Sequence, residues 1–314
     1  LKSIIPLQRI NKLKIIFMGT PEFAVPSLNA INNSEHQLIA VVTAPDKERG
    51  RGREVSFTPV KNYAVKNNLP VLQPEKLKDP EFIEQVRKLA PDLIIVIAFR
   101  ILPREIFEIP RLGTFNVHGS LLPKYRGAAP IQWSLINGDS ETGLTTFFIQ
   151  EKVDTGNIIL QKKIAIEKDD NFGSLHDRLQ SLSIDMVLET IKIIESGAIQ
   201  LIKQDESQVS SAPKITKENS RIDWNQPSEK IYNLIRGLSP YPAAYFLHNS
   251  KLYKVFSSRL KDDLILQPGE IKETKNEIFI GTATTALEIT EIQPEGRKRM
   301  KSDVFLRGYS LLKN

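Results

Sequence analysis

The apolar run LIIVIAF (93–99), followed after a short break by GTFNVHGSLLPKYRGAAP (113–130), decides the fold class. A short run rich in Ile and Val reads as a strand buried on both faces, the kind found in parallel sheets. GTFNVH (113–118) reads as the end of a neighbouring strand, with Asn116 and His118 two residues apart. On a strand that spacing puts both side chains on one face. The strand breaks into Gly-Ser-Leu-Leu-Pro, a loop with free backbone groups. An amide that can donate, an imidazole that can take a proton, and Asp154 of VDTG (153–156) form a set suited to proton transfer and oxyanion stabilisation. No Ser or Cys nucleophile is placed beside them, which points to an attacking group carried by the substrate.

Outward from this stretch, the first 200 or so residues alternate β-rich runs with amphipathic segments, the pattern of an α/β domain with a largely parallel sheet. KIIFMG (14–19), LIAVVT (38–43), DLIIVIA (92–98), GLTTFFI (143–149) and IILQKKIAI (158–166) are the expected strands. After the first, Gly19 permits a sharp turn, Thr20 suits an N-cap and Pro21 the first helical position. SLHDRLQSLSIDMVLETIKIIESG (174–197) is a long helix with a Ser174–Asp177 capping box and Gly197 as its stop. The tract 200–212, QLIKQDESQVSSA, loses periodicity and reads as a linker. Beyond it come RIDW (221–224), a helix around SEKIYNLIRGL (228–238) and short strands with Asn-Ser and Gly turns, the signature of a small β-barrel or sandwich. The expected division is therefore a Rossmann-like domain over 1–199, a linker over 200–212 and a β-barrel, OB-like domain over 213–314.

At 314 residues, 40% apolar and 25% charged, the composition is that of an ordinary globular protein. No apolar run approaches bilayer-spanning length, and LKSIIPLQRINKLKII lacks the apolar h-region of a secretory signal. With no cysteine, disulfides, thiolate nucleophiles and Cys-type zinc sites are excluded. His36, His118, His176 and His248 show no metal-ligand spacing, so a cytoplasmic enzyme without metal, acting as a monomer and away from membranes, is expected. Net charge is +6, and residues 213–314 hold 17 Lys/Arg against 12 Asp/Glu, so the excess sits in the last third. That asymmetry suggests a polyanionic partner, with a solvated basic surface as the plain alternative. Two basic clusters stand out. Arg49, Arg51 and Arg53 alternate with Gly50 and Gly52 in a loop suited to closing on phosphates, and Arg297, Lys298 and Arg299 lie in GRKRM-K (296–301).

Each motif also has a plainer reading. The G-x-G-x-x-G and Walker patterns are absent, which argues against a nucleotide cofactor. Asp154-Thr155-Gly156 superficially matches an aspartic-protease signature, but such enzymes need two facing carboxylates and the chain has one copy. His118, Asn116 or Asp154 alone could be structural. Together, with the first two at a strand's carboxyl end where open α/β sheets carry their sites, they favour chemistry.

FMGTPEFAVPSL, the GRGR loop, NVHGSLLPKYRGAAPIQWSLINGDSETGLTT, VDTGNII and RIDW…IRGLSPYPAA together resemble the bacterial methionyl-tRNA formyltransferase family, from about residue 13 to 308. The SLLP-x-x-RG block alone marks only the wider formyltetrahydrofolate-using transformylase superfamily. The resemblance implies a formyl transferase of one-carbon metabolism and translation initiation, using 10-formyltetrahydrofolate and methionine-charged initiator tRNA. It implies catalytic roles for Asn116, His118 and Asp154. It also implies folate contacts from Ser120, Leu121, Leu122 and Pro123, and tRNA contact at Arg51. Arg100, in AFR-ILP, departs from the family, where Gly is common, and puts a bulky cation near the folate-side wall. Rival readings are a formyltransferase for a sugar-nucleotide or glycinamide amine, a hydrolase releasing formate, and a non-catalytic RNA-binding protein.

Overall fold

The computed structural model describes residues 12–49 and 54–312. Seven strands form the main sheet: β1 (Lys14–Gly19), β2 (Gln37–Val42), β3 (Val71–Leu72), β4 (Leu93–Ile97), β5 (Thr114–His118), β6 (Glu141–Phe148) and β7 (Ile158–Ala165). Their order is β7-β6-β5-β4-β1-β2-β3. β1 pairs in parallel with β2 and β4, β2 with β3, and β4 with β5, while β6 runs antiparallel to β5. Every residue of β4 is buried, as a strand covered on both faces requires. One face carries a core of Ile16, Met18, Val42, Phe82, Val86 and Ile94. The expected α/β class with a largely parallel sheet is the one observed.

Two local expectations are corrected. The chain after β1 makes a 3-10 turn over Glu22–Ala24 before the helix Val25–Asn32, and Pro21 precedes that turn with no side-chain cap, so Thr20 is not the N-cap. The long helix is Phe172–Ser196, and its cap is Asn171 instead of Ser174: Asn171 Oδ1 accepts from Ser174 N at 3.1 Å while Ser174 Oγ accepts from Asn171 N at 3.0 Å. Both residue types cap well, and the reciprocal pair satisfies two backbone donors. Gly197 ends the helix at φ +68, as expected.

The chain forms two compact units, and no single cut separates them. The first holds residues up to Gly127, Gly143–Lys163 and Asp177–Ser211, and the second holds Ala128–Thr142, Ile164–His176 and the chain from Ala212 onward. In the second unit the helix Pro130–Ile136 lies against Ser228–Leu238 so closely that a Cβ on Gly237 would stand 2.7 Å from Ile136 Cγ1. That close packing draws a segment from the middle of the chain into the later unit. The rest of the second unit is an antiparallel sheet running Ala244–His248, Lys251–Lys261, Ala286–Pro294, Ile278–Gly281 and Ile271–Glu273, with Met300–Lys301 added on Ala286–Pro294. Ile231, Ile235, Phe246, Val255, Leu287 and Phe305 form its core. RIDW seals it: Ile222 is buried with its N–H on Tyr245 O at 2.7 Å, and Trp224 meets Phe246 edge-on at 5.5 Å. Among the described residues no helix is long and apolar enough to cross a membrane.

Candidate active site

β5 brings Asn116 and His118 to one face by its two-residue repeat, opposite Phe147 and Thr145 of β6. Asn116 is half-buried, and its carboxamide has no hydrogen-bond partner among the described residues. A carboxamide held on a rigid strand with its N–H₂ free is a ready donor for a developing oxyanion. His118 is 6% exposed and its ring edge meets Phe147. Its Nε2 lies 2.8 Å from the Tyr125 carbonyl oxygen, which only accepts, so Nε2 carries a proton. Nδ1 faces Asp154 Oδ2 at 3.8 Å. That gap is too long for a hydrogen bond in the neutral imidazole. Protonation at Nδ1 would turn it into an ion pair, so any proton His118 exchanges passes through Nδ1.

Asp154 reaches this position through an unusual backbone. It sits at φ +56, a left-handed conformation that an L residue adopts only when its surroundings hold it there. Its Oδ2 accepts from Gly127 N at 2.9 Å, which fixes the carboxylate beside the imidazole. The structure therefore brings His118 and Asp154 together and sets Asn116 on the same strand face, without a direct bond to either.

The Ser120–Pro123 loop is braced from inside. Thr145 Oγ1 donates to Ser120 O at 2.7 Å and accepts from Leu122 N at 3.0 Å, and Gln161 Nε2 donates to Leu122 O at 2.8 Å. Ser120 is fully buried with Oγ on Lys124 O, and Leu122 packs with Phe147 and Ile158. Leu121 and Pro123 keep exposed surface. Sequence reasoning assigned no role to Thr145, which lies inside the quoted GLTT block but reads as an ordinary strand residue, or to Gln161, which lies in no motif. Thr145→Val, which leaves a buried N–H and C=O unpaired, is expected to cost about 1–3 kcal/mol in urea unfolding; an unchanged midpoint would show that the loop does not depend on this hydroxyl.

A groove of about 500 Å³ opens at the start of β5, lined by Arg104, Phe107, Gly113, Thr114, Phe148 and Ile149 among others. Thr114, whose Oγ1 donates to Phe107 O at 2.8 Å, shares its strand face with Asn116. Arg100 does not intrude: its guanidinium folds over Phe99 and donates to Pro74 O at 2.8 Å and Glu75 O at 3.0 Å. Ala98 takes the positive φ of +48 in the preceding turn. Burial lowers the Arg100 pKa, and Nε has no partner among the described residues.

The basic clusters fare differently. Lys47–Arg49 and Glu54–Ser56 pair as the arms of an antiparallel hairpin, so Arg49 belongs to a strand. Arg51 and Arg53 lie outside the described residues. At the base of the hairpin Asp46 pairs with Lys61 and accepts from Gln73, and the Lys61 hydrogen bond is the main cause of its lowered pKa. In the second unit Lys298 is exposed and Arg297 lies over Tyr309. Arg299 is held by both oxygens of Glu291 and stacks on Phe256, which leaves it less free for phosphate than its sequence neighbours.

The comparisons decide what kind of chemistry this is. The formyl transferase family model matches residues 12–191, and that of the formyl transferase C-terminal domain matches 214–310. A methionyl-tRNA formyltransferase of Bacteroides fragilis is 47% identical over 310 residues, covering 95% of this chain and 96% of its own. The chain belongs to the methionyl-tRNA formyltransferase family. A second family member, from Flavobacterium johnsoniae, is also 47% identical, over 305 residues that cover 95% of this chain and 97% of its own. Among solved structures, HypX from Aquifex aeolicus in complex with tetrahydrofolic acid superposes with a TM-score of 0.64 at 20% identity, covering 95% of this chain. This chain spans 48% of that longer protein, and the likeness shows the fold alone. As a member of the family the chain is an enzyme, and the match covers both the α/β and the C-terminal domains.

Proposed function

We propose that this enzyme transfers the formyl group of 10-formyltetrahydrofolate to the α-amine of methionine on initiator tRNA, in the cytoplasm, producing N-formylmethionyl-tRNA for translation initiation. The observation that carries the reading is the Asn116–His118–Asp154 arrangement, with the nearby Ser120 hydroxyl committed to Lys124 O and no cysteine in the chain, within a chain that matches methionyl-tRNA formyltransferases over almost its whole length. The Ser120–Pro123 loop, which follows His118 directly and is braced by Thr145 and Gln161, supports a donor site next to the reacting groups.

The amine attacks the formyl carbon and a tetrahedral oxyanion forms. Asn116 donates to that oxygen as charge develops on it, and the proton leaving the amine reaches the departing N10. His118 holds its Nε2 proton against Tyr125 O and presents Nδ1 to Asp154, so the pair can accept and return one proton without large movement. Asp154 stabilises the imidazolium while the proton resides there.

The acceptor reading rests on charge. Lysines and arginines from residue 213 onward, together with Arg49, Arg51 and Arg53, would contact phosphates, with affinity that falls steeply as salt rises. Arg51→Ala is expected to raise KM for charged tRNA several-fold and leave KM for the folate donor unchanged, measured by initial rates at fixed salt. Equal effects on both constants would remove Arg51 from the acceptor site. Donor consumption yielding formate without formylmethionine would favour a hydrolase over a transferase.

A further inference from the structure

The tract 200–212 reads as a linker, yet its Gln204 is 4% exposed and satisfied at every polar position of its side chain. Nε2 donates to Asp154 O at 2.9 Å and to Gly156 O at 2.8 Å. Oε1 accepts from Arg126 Nε at 3.0 Å and Arg126 Nη2 at 2.8 Å. One carboxamide therefore grips both chain segments that build the carboxylate's position. It holds the carbonyls on either side of Thr155, which pins the left-handed turn at Asp154. Through Arg126 it also holds the residue before Gly127, whose N–H binds the Asp154 carboxylate. The same tract supports the imidazole. Ser210 Oγ accepts from Tyr125 N and Ser210 O from Arg126 N, each at 2.9 Å, and Tyr125 O is the His118 Nε2 partner. Ile202 and Ile158 exchange two backbone hydrogen bonds, which secures the start of the tract.

We propose that Gln204 is a positioning residue for formyl transfer, setting the Asp154 carboxylate against His118 from within the 200–212 tract. This rests on the functional reading above. An ordinary buried glutamine would need only to be satisfied. Here both donors go to the turn that carries Asp154, and both acceptor positions go to the residue beside its anchor. The chemistry separates the two halves. Gln204→Glu keeps acceptors for Arg126 but cannot donate to the Asp154 and Gly156 carbonyls, and Gln204→Met fills a similar volume and does neither.

The test compares Gln204→Glu, Gln204→Met and Glu206→Gln in the full-length enzyme. Glu206 also pairs with Arg126 but does not touch the Asp154 turn. Both Gln204 variants should lose about 10- to 100-fold in kcat, with KM for donor and charged tRNA changed far less, because the loss is one of placement. Glu206→Gln should keep its kcat. Independently of turnover, the His118 imidazole NMR signals should shift in both Gln204 variants and keep their positions in Glu206→Gln, since only the former release the turn that carries the facing carboxylate. Asp154 pairs with that imidazole, and the Tyr125 carbonyl and Phe147 ring occupy other sides. Unmoved imidazole signals in folded Gln204 variants overturn the proposal, as does activity that falls only in step with thermal stability. Wild-type protein inactive on charged tRNA would instead defeat the functional reading, with the imidazole signals still deciding the role of Gln204.

Discussion

Asn116→Ala should lower kcat by about 10²–10³-fold, the usual consequence of deleting one oxyanion donor, while the protein unfolds at nearly the wild-type temperature. The two halves of that expectation come from the same fact. The carboxamide is half-buried and bonds to no protein group among the described residues, so its removal orphans nothing and opens little space. A residue of that kind contributes to the reaction and hardly to the fold. Asp154 behaves differently. Asp154→Ala would strand the Gly127 N–H as well as remove the counter-charge of His118, so stability and turnover should both fall. Asp154→Asn, which still offers Gly127 an acceptor, should keep the fold and lose the turnover. Steady-state rates beside thermal unfolding curves check all three variants, and near-normal turnover in Asn116→Ala would remove it from the oxyanion site.

Gly156→Ala should produce the largest structural effect of any single methyl group in the chain's first unit. An added Cβ would stand 1.6 Å from the Phe148 carbonyl oxygen and 2.8 Å from its carbon. Backbone cannot rotate away as a side-chain tip can. The contact arises because the segment after β6 returns on itself, with Phe148 N donating to Asn157 O at 3.1 Å and Gln204 gripping Gly156 O. Relieving the clash means prising this return apart, and Asp154 travels with it. A loss of about 3–5 kcal/mol and a fall in kcat of at least about 10²-fold are expected, read from urea unfolding and initial rates. Gly308→Ala, whose Cβ would meet nothing within 4 Å, is the matched control and should behave as wild type. Similar behaviour of the two variants would mean that the Asp154 turn tolerates an opening that the geometry forbids.

What the sequence disclosed follows from which interactions leave periodic or compositional marks. Buried strands such as Leu93–Ile97 announce themselves by unbroken apolar runs, and the shared face of Asn116 and His118 follows from strand geometry alone. The approach of Asp154 to His118 does not, because it depends on a left-handed turn and on Gln204, which lies fifty residues later in a polar tract. A glutamine bonded to backbone carbonyls looks in sequence like any linker glutamine. The transfer of Ala128–Thr142 to the second unit was equally hidden, since a helix that packs against Ser228–Leu238 looks in sequence like one that packs on the sheet. The sequence pointed to Ser174 as the helix cap and not to Asn171, because both side chains cap well and only their reciprocal bonds show where the helix begins.

The most direct test of the account supplies the purified enzyme with 10-formyltetrahydrofolate labelled in its formyl carbon, together with methionine-charged initiator tRNA or methionine-charged elongator tRNA. The account predicts label on the methionine α-amine of the initiator species alone, at a rate that falls with added salt. Label on neither tRNA, with the donor intact or released as formate, would contradict it.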